Sequence, residues 1–187
     1  MTNYYIEKDN KILLFDEDKQ KLQDTIAFMP QYADLPILET DRPIVDFEFA
    51  DTPEWIANHL REVKETKMQE ALDGAKSFIE NEACYQFDEN NSIEATDGNI
   101  GKLTAYALGF STGAMQEVQW TSKEDNVLTL DPDDLNLILI GIGAIQSFVW
   151  NVQYIQYKQM IETAQTIAEV EAIEIVYTDE IPNEQQN

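Results

Sequence analysis

The stretch DPDDLNLILIGIGAIQSFVWNV, residues 131–152, contains the longest apolar run of the chain and largely determines the fold. Asp131 suits an N-cap, Pro132 suits the first helical position, and two further acids complete the first turn, so a helix is expected to start here. The helix is expected to run to 164, and its apolar side chains fall on almost every side from Leu135 to Val152, which predicts a buried central helix. Polar residues and two glycines interrupt the run, so we expect it to fall short of a membrane span.

The segments around this helix predict a mixed α and β domain. CYQFDENNSIEA (84–95) reads as a hairpin that turns at 88–91, and EVQWTSKEDNVLTL (117–130) as a second hairpin that turns at 124–126. Between them, TDGNIGKLTAYALGFSTGAM (96–115) predicts a helix. TIAEVEAIEIVY (166–177) opens with Thr166 and Glu169, a capping box, and predicts a short last helix. The residues from 178 onward are polar and are expected to fray.

The first half of the chain predicts a small β-rich module followed by a long helix. Two strand-like runs flank Asp9 and Asn10, a plausible hairpin turn, and a short amphipathic helix then ends at Pro30. IVDFEFA (44–50) alternates apolar and acidic residues, which predicts a half-buried strand. Thr52 and Pro53 open a long helix, either continuous or as two abutting helices, whose middle is polar.

The fold class expected from these patterns is α+β. We expect an N-terminal β-rich module at 1–50, a connector helix at 51–80, a C-terminal α+β domain at 81–177 with hairpins and the buried long helix, and a polar tail at 178–187. Nothing repeats at a fixed period.

Composition narrows the classes of partner. The chain of 187 residues has 36 acidic and 12 basic side chains, for a formal net charge of −24. Such a surface repels nucleic acid and anionic membranes, so basic proteins or cations are the expected partners. A single cysteine excludes an internal disulfide, and the first residues lack the pattern of a signal peptide. We therefore expect a soluble protein.

The stretch TDGNIGKLTAYALGF (96–110) resembles a phosphate-binding loop at first sight. A P-loop needs four residues between its first glycine and the Gly-Lys pair, followed by Ser or Thr. Here Gly98 and Gly101 enclose two residues, and Leu103 follows Lys102. We therefore interpret the stretch as a helix that Thr96 or Asp97 caps, and expect no nucleotide.

Other motifs fail for similar reasons. GIGAIQ (141–146) lacks the third glycine of a dinucleotide fingerprint and lies inside a helix, so its small residues are expected to let another helix approach closely. Asp88 and Asn90 match two positions of a calcium loop, but Ile93 stands where glycine is required. His59 is the only histidine, and Cys84 is interpreted as a buried structural thiol. We expect no catalytic residue, metal or cofactor.

Four aromatic residues form the candidate contact set for a partner: Trp120, Trp150, Tyr154 and Tyr157. The last three share a helical face. Trp and Tyr are enriched at protein interfaces, but ordinary core packing explains the same pattern and is the favoured alternative.

The order of elements resembles a known group of proteins. The N-terminus YYIEKDNKILLFDEDKQKL, followed by FMPQY and ETDRPIVDF, resembles small proteins encoded beside tail fibres in phages and prophages. Residues 65–175 resemble a domain of unknown function that recurs in them. The features that carry this resemblance are KETKMQEALDGAKSFI, CYQFDENNSIEATD, a VQWT strand with Trp120, the acid-started long helix and the closing AQTIAEVEAI.

The resemblance implies a non-enzymatic phage tail protein, foremost a tail-fibre assembly chaperone that binds the fibre polypeptide. It implies a location in the host cytoplasm during assembly. A structural subunit of the distal tail, retained in the virion, is the alternative, and self-association stays open. Net charge suggests a third reading, an acidic DNA mimic that inhibits a host nucleic-acid-binding enzyme. That reading needs carboxylates at phosphate-like spacing, which the sequence does not establish.

Overall fold

The computed structural model describes residues 2–182 and has the predicted α+β fold. The chain divides into two compact units, Met1–Glu62 and Val63–Asn187. Each unit has its own strands and helices.

The first unit is built on a three-stranded antiparallel sheet. β1 (Asn3–Lys8) pairs with β2 (Lys11–Asp16) on one side and with β3 (Leu38–Thr40) on the other. Asp9 and Asn10 both have positive φ, which confirms the predicted hairpin turn. α1 (Lys19–Ala27) starts at Asp18, whose carboxylate accepts two backbone N–H groups, and buries Leu22.

The strand predicted over 44–50 is wrong. The structure has two short strands there, β4 (Ile44–Val45) and β5 (Glu48–Phe49), which pair with each other across a two-residue turn. Both turn residues, Asp46 and Phe47, have positive φ. The alternating pattern did not reveal this because phenylalanine rarely adopts such a conformation.

A single helix, α2 (Pro53–Asn81), begins in the first unit and ends in the second. The Thr52 hydroxyl accepts the Trp55 N–H at 3.2 Å, as expected of an N-cap. Its buried residues lie near its C-terminal end: Ala71, Ala75, Phe78 and Ile79.

The second unit contains both predicted hairpins and the predicted helix between them. β6 (Cys84–Asp88) pairs with β7 (Asn91–Glu94), and β8 (Val118–Thr121) pairs with β9 (Val127–Leu130). α3 (Asp97–Ser111) joins the hairpins. Buried apolar side chains of the two hairpins, of α3 and of the helix that begins at Pro132 pack together as the core of this unit.

That helix begins and ends as predicted. α4 (Pro132–Phe148) starts with a capping box between Asp131 and Asp134. A π-helical segment (Val149–Tyr154) follows, and α5 (Ile155–Thr163) comes directly after it, so the chain is helical without interruption from Pro132 to Thr163. Burial is one-sided, because Leu137 is 57% and Ile140 is 70% exposed. The expectation of a helix buried all round was therefore wrong for one face.

The helical stretch Pro132–Thr163 is long and apolar enough, by length and composition alone, to cross a membrane. The polar residues that interrupt the run are uncharged and do not take it below that criterion, and the expectation that it falls short of a membrane span stays a prediction. Of its most apolar window, 33% is buried inside the protein. Core helices of soluble proteins meet the same criterion.

The chain closes with α6 (Ile167–Glu171) and an extended segment, and both make defined contacts. Thr166 and Glu169 form the predicted capping box. The Gln153 side chain, in the π-helical segment, donates to the Thr178 carbonyl at 2.7 Å and accepts the Thr178 N–H at 3.0 Å. The predicted frayed tail is thus wrong at its start, while residues 183–187 lie outside the described part.

Candidate functional site

A groove of the second unit lies beside Cys84, the only cysteine of the chain. It encloses about 940 Å³ and is open to solvent. We call it the Cys84 groove. Its lining comes from four segments: residues 82, 84–86 and 92 around the first hairpin, 123 and 124 in the second, 140, 141, 144 and 145 in α4, and 179–181 near the C-terminus.

The floor of the groove is apolar because β6 lies very close to α4. A Cβ atom added to Gly141 would stand 2.1 Å from two ring carbons of Tyr85, so only glycine lets the ring lie there. The small residue was expected to admit another helix, but it admits a strand side chain. Ile140 and Ala144 extend the apolar surface, and Ile140 is 70% exposed.

Carboxylates stand around this floor: Glu82, Glu124, Asp179 and Glu180. Ser92 holds Glu124 in place, since its backbone N–H donates to Oε2 at 2.8 Å and its hydroxyl donates to Oε1. These hydrogen bonds lower the pKa of Glu124 to about 2, so it is ionised at neutral pH. Asp179 accepts the backbone N–H of Cys84 at 2.9 Å, which fixes the C-terminal segment against β6.

Cys84 is half-buried and faces a lysine, whereas the sequence favoured a buried thiol. Lys123 Nζ donates to Cys84 Sγ at 3.1 Å. That hydrogen bond is the main cause of a raised pKa of Lys123, and the charges of Glu94 and Glu124 act in the same direction against partial desolvation. The ammonium group therefore stays charged at the groove, close to a thiol that reagents from solvent can reach.

The four candidate contact aromatics lie outside the lining of the Cys84 groove. Trp120 is only 9% exposed and makes an edge contact with Tyr106. Trp150 and Tyr154 pack against each other with ring centres 5.7 Å apart. The Tyr157 hydroxyl donates to the Val176 carbonyl at 2.6 Å. All four take part in internal packing, and their contact with a partner stays a prediction.

The motifs rejected from the sequence have ordinary local roles. Thr96 caps α3 by accepting the Asn99 N–H at 3.1 Å, which confirms the capping interpretation of the glycine stretch. Asp88 accepts the Asn90 N–H at 2.8 Å within the hairpin turn, and its pKa is lowered chiefly by this bond. In the part of the chain that the structure describes, no group of three or more His, Cys, Asp or Glu is placed to hold a metal.

Sequence reasoning did not find the Cys84 groove. Its charged residues are far apart in the chain, and Asp179 lies 95 residues from Cys84. The one local signal was the glycine pair in α4. Gly141 meets the Tyr85 ring, whereas an added Cβ on Gly143 would meet nothing within 4 Å.

Comparisons with protein-family models, with curated proteins and with solved structures found no match to this chain.

Proposed function

We propose that this protein is a non-enzymatic tail-fibre assembly chaperone that binds the fibre polypeptide through the Cys84 groove. The observation that carries the proposal is the combination of an open apolar floor with four surrounding carboxylates. The resemblance in element order to proteins encoded beside phage tail fibres supplies the identity of the partner.

The chemistry of the groove specifies what kind of segment fits. Apolar side chains of the partner would pack on Tyr85, Ile140 and Ala144, and Lys or Arg side chains would meet Glu82, Asp179 and Glu180. Burial of the apolar floor supplies affinity, and the carboxylates favour a basic partner and speed the encounter. A chaperone of this kind covers an apolar fibre segment until fibre subunits associate.

Co-expression with a tail-fibre polypeptide of the same phage or prophage tests the proposal. We expect a higher yield of soluble, trimeric fibre when this protein is present. Ile140→Glu should abolish the gain, because it places a charge on the apolar floor. Leu108→Glu is the matched control, since Leu108 is 65% exposed on α3 and lies outside the groove.

Loss of the gain with both variants, or with neither, would contradict binding at the groove. An unchanged fibre yield together with no binding would remove the chaperone function itself. Mass spectrometry of purified particles then separates the two tail roles. A chaperone acts in the host cytoplasm and is missing from particles, whereas a structural subunit is present in fixed stoichiometry.

A further inference from the structure

The first unit has a cavity of its own, next to the β4–β5 turn. It encloses about 520 Å³, within the range of small-ligand sites. The β1–β2 hairpin, the β4–β5 hairpin and the first two turns of α2 form its walls. It is separate from the Cys84 groove, and the proposed function makes no use of it.

Three aromatic rings and Ile12 form the apolar part of this cavity, and the rings are Phe47, Phe49 and Trp55. Phe47 is 51% exposed and meets Phe15 only by an edge contact, with ring centres 5.6 Å apart. Phe49 already carries a cation on one face, because the Arg42 guanidinium lies 4.0 Å from its ring centre. The His59 imidazole packs on Trp55 with ring centres 4.6 Å apart. Phe47 is therefore the ring with the most room for a further group, and Trp55 offers only the face that His59 does not occupy.

Negatively charged side chains outnumber positively charged ones around these rings. The lining includes four carboxylates, Glu7, Asp46, Glu48 and Glu54, and one lysine, Lys11, which gives a formal charge of −3. None of the four takes part in an ion pair within residues 2–182. They are also not among any group placed to hold a metal ion in that range.

We propose that this cavity binds an organic cation, the guanidinium or ammonium group of a basic side chain. A cation is attracted to the faces of Trp and Phe rings by their quadrupole, and the unpaired carboxylates add a long-range attraction. The rings favour guanidinium over the strongly hydrated ammonium, because guanidinium is planar and gives up water more readily. A partner protein presents such a group on an exposed Arg.

The direct test is a titration of the full chain with the peptide Gly-Arg-Gly, followed by NMR of the three tryptophan indole N–H groups. The Trp55→Phe variant identifies the Trp55 signal by its loss. We expect the Trp55 indole to shift, while Trp120 and Trp150 in the second unit stay in place as internal controls. Gly-citrulline-Gly has nearly the same shape without the charge and should leave all three signals unchanged.

Variants with equal changes of net charge separate specific binding from general attraction to an acidic protein. Glu48→Gln with Glu54→Gln should weaken Gly-Arg-Gly binding about tenfold, as the loss of roughly 1.4 kcal/mol implies. Glu17→Gln with Glu39→Gln removes two charges of the same unit outside the cavity. That control should change the affinity by less than about threefold, because exposed charges contribute little.

Phe47→Gly supplies a variant that is expected to fold. Phe47 has a φ of 66°, which glycine adopts without strain, so the turn should be retained. Gly-Arg-Gly binding should nevertheless fall about tenfold through loss of the ring. Equal binding of the citrulline peptide, equal losses in the two charge variants, or no shift of the Trp55 indole would each overturn the proposal.

Discussion

The two units of this protein differ mainly in how much apolar surface they bury. Among the described residues, the first unit buries four apolar side chains, Ile6, Ile12, Leu22 and Ile44, and the second buries 22. Buried surface per residue rises with domain size, and a core this small rarely supplies more than about 3–5 kcal/mol. We therefore expect the second unit to be the more stable of the two.

The difference also extends to the backbone. The first unit displays Phe47 from a turn with two positive φ values, an arrangement that costs about 1–2 kcal/mol for a residue other than glycine. The second unit uses a π-helical segment to direct Gln153 at the backbone of Thr178. The first unit therefore has a strained backbone at an exposed aromatic ring, whereas the irregular backbone of the second unit holds the C-terminal segment in place.

The largest expected loss of stability comes from substitutions that leave a cavity in the core of either unit. Ile138→Ala and Leu22→Ala each remove a buried branched side chain and should lower the free energy of unfolding by about 2–5 kcal/mol. Ile138→Ala should leave the second unit folded, whereas Leu22→Ala should unfold the first unit alone. Denaturation followed through amide NMR signals of each unit checks this. Simultaneous loss of both sets of signals would show one cooperative unit and break the comparison.

A smaller change in stability is expected when alanine replaces either glycine of α4, Gly141 or Gly143. Gly141→Ala forces a methyl group into the Tyr85 ring and should destabilise the second unit by about 3 kcal/mol. Gly143→Ala has open space and should stabilise the helix by about 1 kcal/mol. Thermal denaturation of both variants measures the difference. Equal effects of the two substitutions would mean that Tyr85 does not lie on α4.

The C-terminal segment should contribute less to the free energy of unfolding of the second unit than the fit of Tyr85 against Gly141. The Tyr177 hydroxyl donates to the Ala71 carbonyl at 2.8 Å in a buried position. Tyr177→Phe should lower the free energy of unfolding of the second unit by about 1 kcal/mol. Tyr106→Phe is the control, because the Tyr106 hydroxyl has no hydrogen bond within residues 2–182. Identical urea denaturation of Tyr177→Phe and the unaltered protein would refute this contribution.

The smallest predicted effect depends on pH. Folding lowers the pKa of Glu124 from an ordinary value of 4.5 to about 2, so its contribution to stability is complete above about 4.5 and disappears as the pH falls toward 2. Ser92→Ala removes the hydroxyl donor and should destabilise the second unit near neutral pH. The gap to the unaltered protein should narrow between pH 4.5 and 2 in chemical denaturation. A gap that is independent of pH would assign the effect to packing.

Local signals explain how much of the fold could be predicted from the sequence. The cap at Asp131, the capping box at Thr166 and the turn at Asp9 each depend on a few neighbouring residues, and all three were found where expected. The turn at Asp46 and Phe47 was missed because it contradicts the preferences of its own residues. Sequence pattern could not have revealed it.

The candidate site could not be predicted for a different reason. Cys84, Lys123 and Asp179 meet only after two hairpins, a long helix and the C-terminal segment have packed. Periodicity reports which side of an element is buried, but not which elements meet. The apolar pattern likewise predicted that Ile140 would be buried, whereas its side chain is exposed and lines the groove.

The most direct test of the proposed binding surface uses the only cysteine of the chain. The rate at which a charged maleimide modifies Cys84 is measured by mass spectrometry, for the protein alone and for its complex with the tail-fibre polypeptide. Because Cys84 lines the groove, bound fibre should slow the modification in proportion to occupancy, and Ile140→Glu should restore the rate of the free protein. A stable complex in which Cys84 reacts as fast as in the free protein would contradict binding at the groove.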